Sequence, residues 1–147
     1  MLKISRLNFI NIEHYFAIFF KTICFLLQLI NENGIRDYTR DILHITGNLE
    51  KEKVHILINH WPSRRGGKDK SEKKRVFVAS VLRAKVDSIW NVNRVSKIVI
   101  AGDLNDEPED KSVIQELGAK HENSDLINLS ALKNDKIGTH KYQGRWG

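Results

Sequence analysis

Lys97-Ile98-Val99-Ile100-Ala101-Gly102-Asp103-Leu104-Asn105-Asp106-Glu107-Pro108 is the stretch on which the reading of this chain turns. An apolar, β-branched run from Ile98 to Ala101 stops at Gly102 and gives way to polar residues and a proline. That pattern predicts a buried strand that delivers side chains to its carboxyl end. Asp103 and Asn105 are two apart, so an extended backbone would present both to one face and send Leu104 into a core. A carboxylate beside a carboxamide suits water activation and phosphate binding. The first can orient or deprotonate a water, and the second can donate an N–H to a phosphoryl oxygen. A plain strand-end turn also accounts for these residues, because Gly-Asp and Asn-Asp are common turn chemistry.

Upstream, Val54-His55-Ile56-Leu57-Ile58-Asn59-His60 reads as a second strand, preceded by a looser one over Asp41 to Thr46. Gly47 to Glu52 is a polar connection, and the pair predicts an antiparallel hairpin. Apolar residues fall on both faces in places, which predicts a sheet covered on both sides. The second strand ends in Asn59-His60-Trp61-Pro62-Ser63-Arg64-Arg65-Gly66-Gly67, where Pro62 and the glycines open a loop. His60 therefore stands at a strand end, as Asp103 does. A lone histidine there is structural unless the two strand ends lie together in space.

Between the strands, Val78, Leu82, Val86 and Ile89 recur at helical spacing and predict a helix to about Trp90, with Ser71 as N-cap. Residues 64–75 hold seven basic and two acidic side chains, so they supply five of the chain's six net positive charges. Such a run is ordinarily a solvated loop. The guanidinium forks of Arg64 and Arg65 suit phosphoryl oxygens, whereas Lys68, Lys70, Lys73 and Lys74 read as solvated. Farther on, Asp106, Glu107, Glu109 and Asp110 form an acidic cluster. It could gather a cation or simply begin the short helix expected over Ser112 to Leu117, capped by Gly118.

The chain has 147 residues, 41% hydrophobic and 29% charged, which suits one soluble domain with a core. Its net charge of +6 favours anionic partners such as nucleic acid or phosphorylated ligands. Cys24 is the single cysteine, so no intramolecular disulfide forms; in its apolar surroundings it reads as an inert thiol. The apolar segment Tyr15 to Ile30 is interrupted by Lys21 and Gln28, which favours core strands over a targeting or membrane-inserted segment. Near the end, Tyr142, Arg145 and Trp146 have the chemistry to stack on or bind a nucleotide.

Taken together, Ile56 to Arg64, Ile100 to Pro108 and Gly138-Thr139-His140-Lys141-Tyr142 resemble the endonuclease/exonuclease/phosphatase superfamily, the DNase I-like fold. Gly-Asp-Leu-Asn resembles its most recognisable motif, and Asn59-His60-Trp61-Pro62-Ser63-Arg64 its upstream Asn-x-His strand end. The likeness runs from about Arg40 to Trp146. It implies an α/β fold, a partial two-sheet β-sandwich flanked by helices, in one domain over residues 1–147. It implies a phosphoesterase or nuclease dependent on Mg²⁺ or Mn²⁺, acting on a phosphate ester and in some members on nucleic acid. By position, Asp103 would activate water, Asn105 would hold the phosphate and His60 would bond the scissile phosphate or assist proton transfer. Arg64 would be a further phosphate contact, and the chemistry of Arg65 and Tyr142 adds them as candidate substrate contacts.

The sequence also departs from that pattern. The family's early metal-binding Glu has no strand-end counterpart before Asp41, since the setting of Glu13 differs, and its late Ser-Asp-His-type motif does not occur by Gly147. These departures imply a truncated member, whose residues 1–15 need not be family sequence. The alternative function is a catalytically inactive relative that only binds phosphate-bearing ligands.

Overall fold

The structure is a computed structural model that describes residues 21–25, 28–30, 36–49, 52–132, 141–142 and 145–146, with side chains over 39–49 and 52–131. Its centre is one four-stranded sheet. β1 (Lys21–Phe25) pairs antiparallel with β4 (Ile42–Leu49), β4 pairs antiparallel with β5 (Glu52–His60), and β5 pairs parallel with β6 (Lys97–Asp103). β2 (Gln28–Ile30) and β3 (Arg36–Tyr38) make a separate antiparallel ribbon. The expected hairpin is present. However, the ladder runs on to Leu49 opposite Glu52, so residues 47–49 are strand and the connection is only residues 50–51.

Parallel strands need a crossover, and α1 (Lys68–Val92) supplies it between β5 and β6. Val78, Leu82, Val86 and Ile89 are all buried, as their spacing predicts. They pack with Ala79 against Ile42, Leu57 and Trp61 from the sheet side, and Ile98, Ile100 and Leu104 close around them. Each fully buried aliphatic side chain of this kind contributes roughly 1.5–3 kcal/mol. The short helix Ser112–Leu117, π-helical in its bonding, adds Val113 and Leu117 to the same core and ends on left-handed Gly118 (φ 74°). β7 (Ala119–Lys120) and β8 (Leu126–Ile127) follow as a small parallel pair. This is the α/β class that the sequence implies.

The structure corrects two expectations about packing. α1 starts at Lys68, three residues before Ser71, with Gly67 as its N-cap at φ 114°. The Ser71 hydroxyl instead donates back to the Gly67 carbonyl at 2.8 Å and accepts from Arg75 Nη1 at 2.6 Å. The sheet is also covered on one face only among the described residues. α1 shields the side bearing Ile42, His44, His55, Leu57 and Asn59. On the other, Ile58 is 39% and Val99 49% exposed, because no described element packs there. Among the described residues β6 is accordingly a half-exposed edge strand rather than a fully buried one.

Tyr142 lies in β9 (Lys141–Tyr142), which pairs with β10 (Arg145–Trp146). Its side chain, like that of Cys24 in β1, lies outside the described side chains, and so do Glu13 and His140. Of the apolar segment 15–30, the described residues are the strands 21–25 and 28–30, and no described helix is long and apolar enough to cross a membrane.

Candidate active site at two parallel strand ends

The register of β5 and β6 brings the two strand ends together. Asn59 pairs with Gly102 and His60 with Asp103. Partners in a parallel ladder share a face, so the imidazole and the carboxylate emerge side by side on the sheet face away from α1. Both residues are exposed.

Gly102 makes this possible. At φ 123°, a Cβ there would sit 1.9 Å from the Asn59 carbonyl oxygen, so only glycine lets the strands meet at this point. One pair beyond, the Trp61 N–H donates to the Asp103 carbonyl at 2.9 Å, and the Asn105 Nδ2 amide donates to the Trp61 carbonyl at 3.0 Å. The chain after each strand is thus clasped to the other.

Asp103 and Asn105 are not joined by extended alternation, as the sequence suggested. Asn105 has φ 52°, in the left-handed region that asparagine tolerates better than most residues. The backbone folds back so that the Asn105 N–H donates to Asp103 Oδ1 at 2.9 Å, an Asx turn. Leu104 between them packs against the core, as expected. His60, Asp103 and Asn105 therefore form one cluster, arranged by a strand pair, a glycine contact and a turn.

The acidic stretch does gather cations, but they are the protein's own. Arg64 Nε donates to the Asn105 carbonyl at 2.7 Å, its Nη1 meets Glu107 Oε1 at 3.2 Å, and its Nη2 meets Asp110 Oδ2 at 2.9 Å. Lys68 pairs with Asp110, which corrects the expectation of a merely solvated lysine. Burial alone would push the Asp110 carboxyl up; hydrogen bonds from Lys68 and the Glu107 N–H, with the Lys68 and Arg64 charges, outweigh it and hold the group below its ordinary value. Arg64, read as a substrate contact, spends its guanidinium donors on the loop that carries Asn105.

Arg65 is placed differently. It is exposed and lines an open groove of about 380 Å³ together with Ser63, Lys70 and Lys74, beside the end of β5.

Several site-building residues were given no role from sequence. Asn59 is buried; its Nδ2 donates to the Leu57 carbonyl at 2.9 Å and its Oδ1 accepts from the indole of the fully buried Trp61 at 3.4 Å. Arg75 is fully buried, with its Nε 2.7 Å from Asp106 Oδ1. The signal for this pair is a basic run at the start of the crossover between β5 and β6 and an acidic run just after β6.

The family model for the Endonuclease/Exonuclease/phosphatase family matches residues 8–147, and the chain belongs to that family. Comparison with curated proteins and with solved structures gives no match. Family members commonly use divalent metals. Asp103, an exposed carboxylate at a strand end, has the chemistry of one ligand, but a small hard cation needs several oxygens in fixed geometry. Among the described residues no three of His, Cys, Asp and Glu are gathered to hold a metal ion. These residues therefore do not make a metal centre by themselves.

Proposed function

We propose that the chain is a phosphoesterase of nuclease type that cleaves a phosphodiester or phosphomonoester by attack of water at the cluster of His60, Asp103 and Asn105. The observation that carries this reading is the register of His60 opposite Asp103, with Asn105 turned back onto the Asp103 carboxylate. Family membership supports the reaction class.

In this reading Asp103 orients the attacking water and accepts its proton. Nδ2 of Asn105 has two N–H groups, one of which is committed to the Trp61 carbonyl. The other donates to a phosphoryl oxygen, whose charge grows as the water oxygen bonds to phosphorus. His60 donates to another phosphoryl oxygen or returns a proton to the leaving oxygen as the P–O bond breaks. A bound Mg²⁺ or Mn²⁺, with Asp103 as one ligand, would supply Lewis-acid stabilisation of that charge. The basic groove with Arg65, Lys70 and Lys74 would seat further phosphates of a larger substrate, and nucleic acid is the polymer that offers them at regular spacing. Tyr142, by its chemistry alone, remains a proposed substrate contact.

The test is hydrolysis of bis-(p-nitrophenyl) phosphate by the purified chain, with Mg²⁺ or Mn²⁺ and then with EDTA. Turnover that EDTA abolishes is expected. A folded sample that binds inorganic phosphate without turnover would replace hydrolysis with the binding-only alternative.

A further inference from the structure

Arg75 has no side-chain surface in contact with solvent, and the Asp106 carboxylate beside it is only 1% exposed. A charge pair taken fully out of water is costly to assemble, so its position in the fold asks for a reason. Arg75 stands on α1, the helix that crosses from the end of β5 to the start of β6. Asp106 directly follows Asn105.

Every polar arm of this pair reaches toward the loop or its supports. Arg75 Nη1 donates to the Ser71 hydroxyl at 2.6 Å and Nη2 to the Lys68 carbonyl at 3.0 Å, which fixes the guanidinium against the first turns of α1. Asp106 Oδ2 accepts from the Ser112 hydroxyl, which ties it to the short helix, and its Oδ1 lies 3.5 Å from Arg64 Nε. That same Nε donates to the Asn105 carbonyl. Asn105, held in a left-handed conformation, therefore has its carbonyl gripped by Arg64 and the following residue anchored on Arg75.

We propose that Arg75 is a positioning residue: through Asp106 it holds Asn105 in the turn that points its N–H at the Asp103 carboxylate. The catalytic half of this statement rests on the hydrolysis proposed above; the structural half does not. Arg75 touches neither His60 nor Asp103, and its effect is transmitted through one side chain and one backbone step.

The test uses the full chain in two variants. Arg75→Lys keeps the charge but loses the fork. Arg75→Met combined with Asp106→Leu removes both buried charges, so no unpaired ion remains to unfold the protein. The first readout is NMR. In the parent chain the Asn105 amide proton is coupled to Asp103 through its hydrogen bond to Oδ1, read as slow solvent exchange that Asp103→Ala abolishes. In both variants that coupling is expected to disappear while the sheet amides of Ile56 and Val99 keep their signals. The second readout is phosphodiester turnover, where kcat falls about a hundredfold with KM little changed, the mark of misplaced rather than missing binding groups. An Asn105 amide that still exchanges slowly in folded variants overturns the proposal. Loss of the NMR coupling in a chain whose parent shows no turnover would uphold the strut and count against the hydrolytic reading alone.

Discussion

His60 and Asp103 on one side, and Arg64, Arg75, Asp106 and Asp110 on the other, are neighbouring groups of charged side chains with opposite fates. The first pair is exposed, set in register across two parallel strands and tied to the fold mainly through backbone. The second group is turned inward, each member bonded to others, with Arg75 and Asp106 sealed from water. By sequence the acidic run 106–110 looks more like a cation site than the single Asp103 does. The structure shows the reverse arrangement: the dense cluster is consumed in holding the loop, and the sparse pair is left exposed, where the proposed chemistry would take place. Abundance of charge thus marks scaffolding here, and the strand-end pair carries the proposed site.

The comparison can be broken most violently where both groups depend on one backbone contact. Gly102→Ala would force a Cβ onto the Asn59 carbonyl oxygen at 1.9 Å. The strands must part, and unfolding in urea should show a loss of about 4 kcal/mol or failure to fold. Next is the scaffold alone. Asp106→Ala leaves Arg75 buried without its counter-charge, and a destabilisation of about 3–4 kcal/mol is expected in the same measurement.

An effect of comparable size comes from acid, and it concerns a third pair that belongs to neither group. His44 Nε2 and His55 Nδ1 approach to 2.8 Å under α1. Burial, then the Lys85 charge, then His55 push the His44 pKa down from 6.5 to about 4, and burial with the Lys53 and Lys85 charges lowers His55. Between those values the unfolded chain binds protons that the folded chain refuses, so stability falls as pH drops from 6.5 toward 4 and is full above 6.5. The expected slope is up to about 1.4 kcal/mol per pH unit for His44. Urea midpoints across that range would show it, and His44→Leu should flatten the curve. Smallest of all is the groove: Arg65→Ala is expected to raise KM for a phosphodiester roughly threefold to tenfold with kcat kept, because an exposed charge contributes modestly.

Much of this was legible in the residues. The four-four-three spacing from Val78 to Ile89 announced α1 and its buried face, and the β-branched runs announced β5 and β6. Gly118 capped the short helix, as glycine at that point foretold. The strand-end positions of His60 and Asp103 were readable too, but their adjacency was not. Register between parallel strands separated by a 25-residue helix is a long-range property with no local signature. Local rules also misplaced the start of α1. Ser71 has the chemistry of an N-cap, yet the buried Arg75 takes its hydroxyl and Gly67 sets the first turn. Residues 64–75 read as solvated because composition gives the number of charges and not their partners. Those partners, Asp106 and Asp110, lie between 31 residues (Arg75 to Asp106) and 46 residues (Arg64 to Asp110) away and become visible only when the crossover is folded.

The measurement that bears most directly on the division between chemistry and scaffold compares Asp103→Asn with Asp106→Asn, each assayed for thermal unfolding and for Mg²⁺-dependent phosphodiester turnover. Asp103→Asn keeps an oxygen to accept the Asn105 N–H, so its stability should stay within about 0.5 kcal/mol of the parent while turnover falls about a hundredfold or more. Asp106→Asn should lose several degrees of Tm, because the buried Arg75 charge loses its partner. A chain in which Asp103→Asn hydrolyses as well as the parent would contradict the assignment, as would one in which Asp106→Asn melts unchanged.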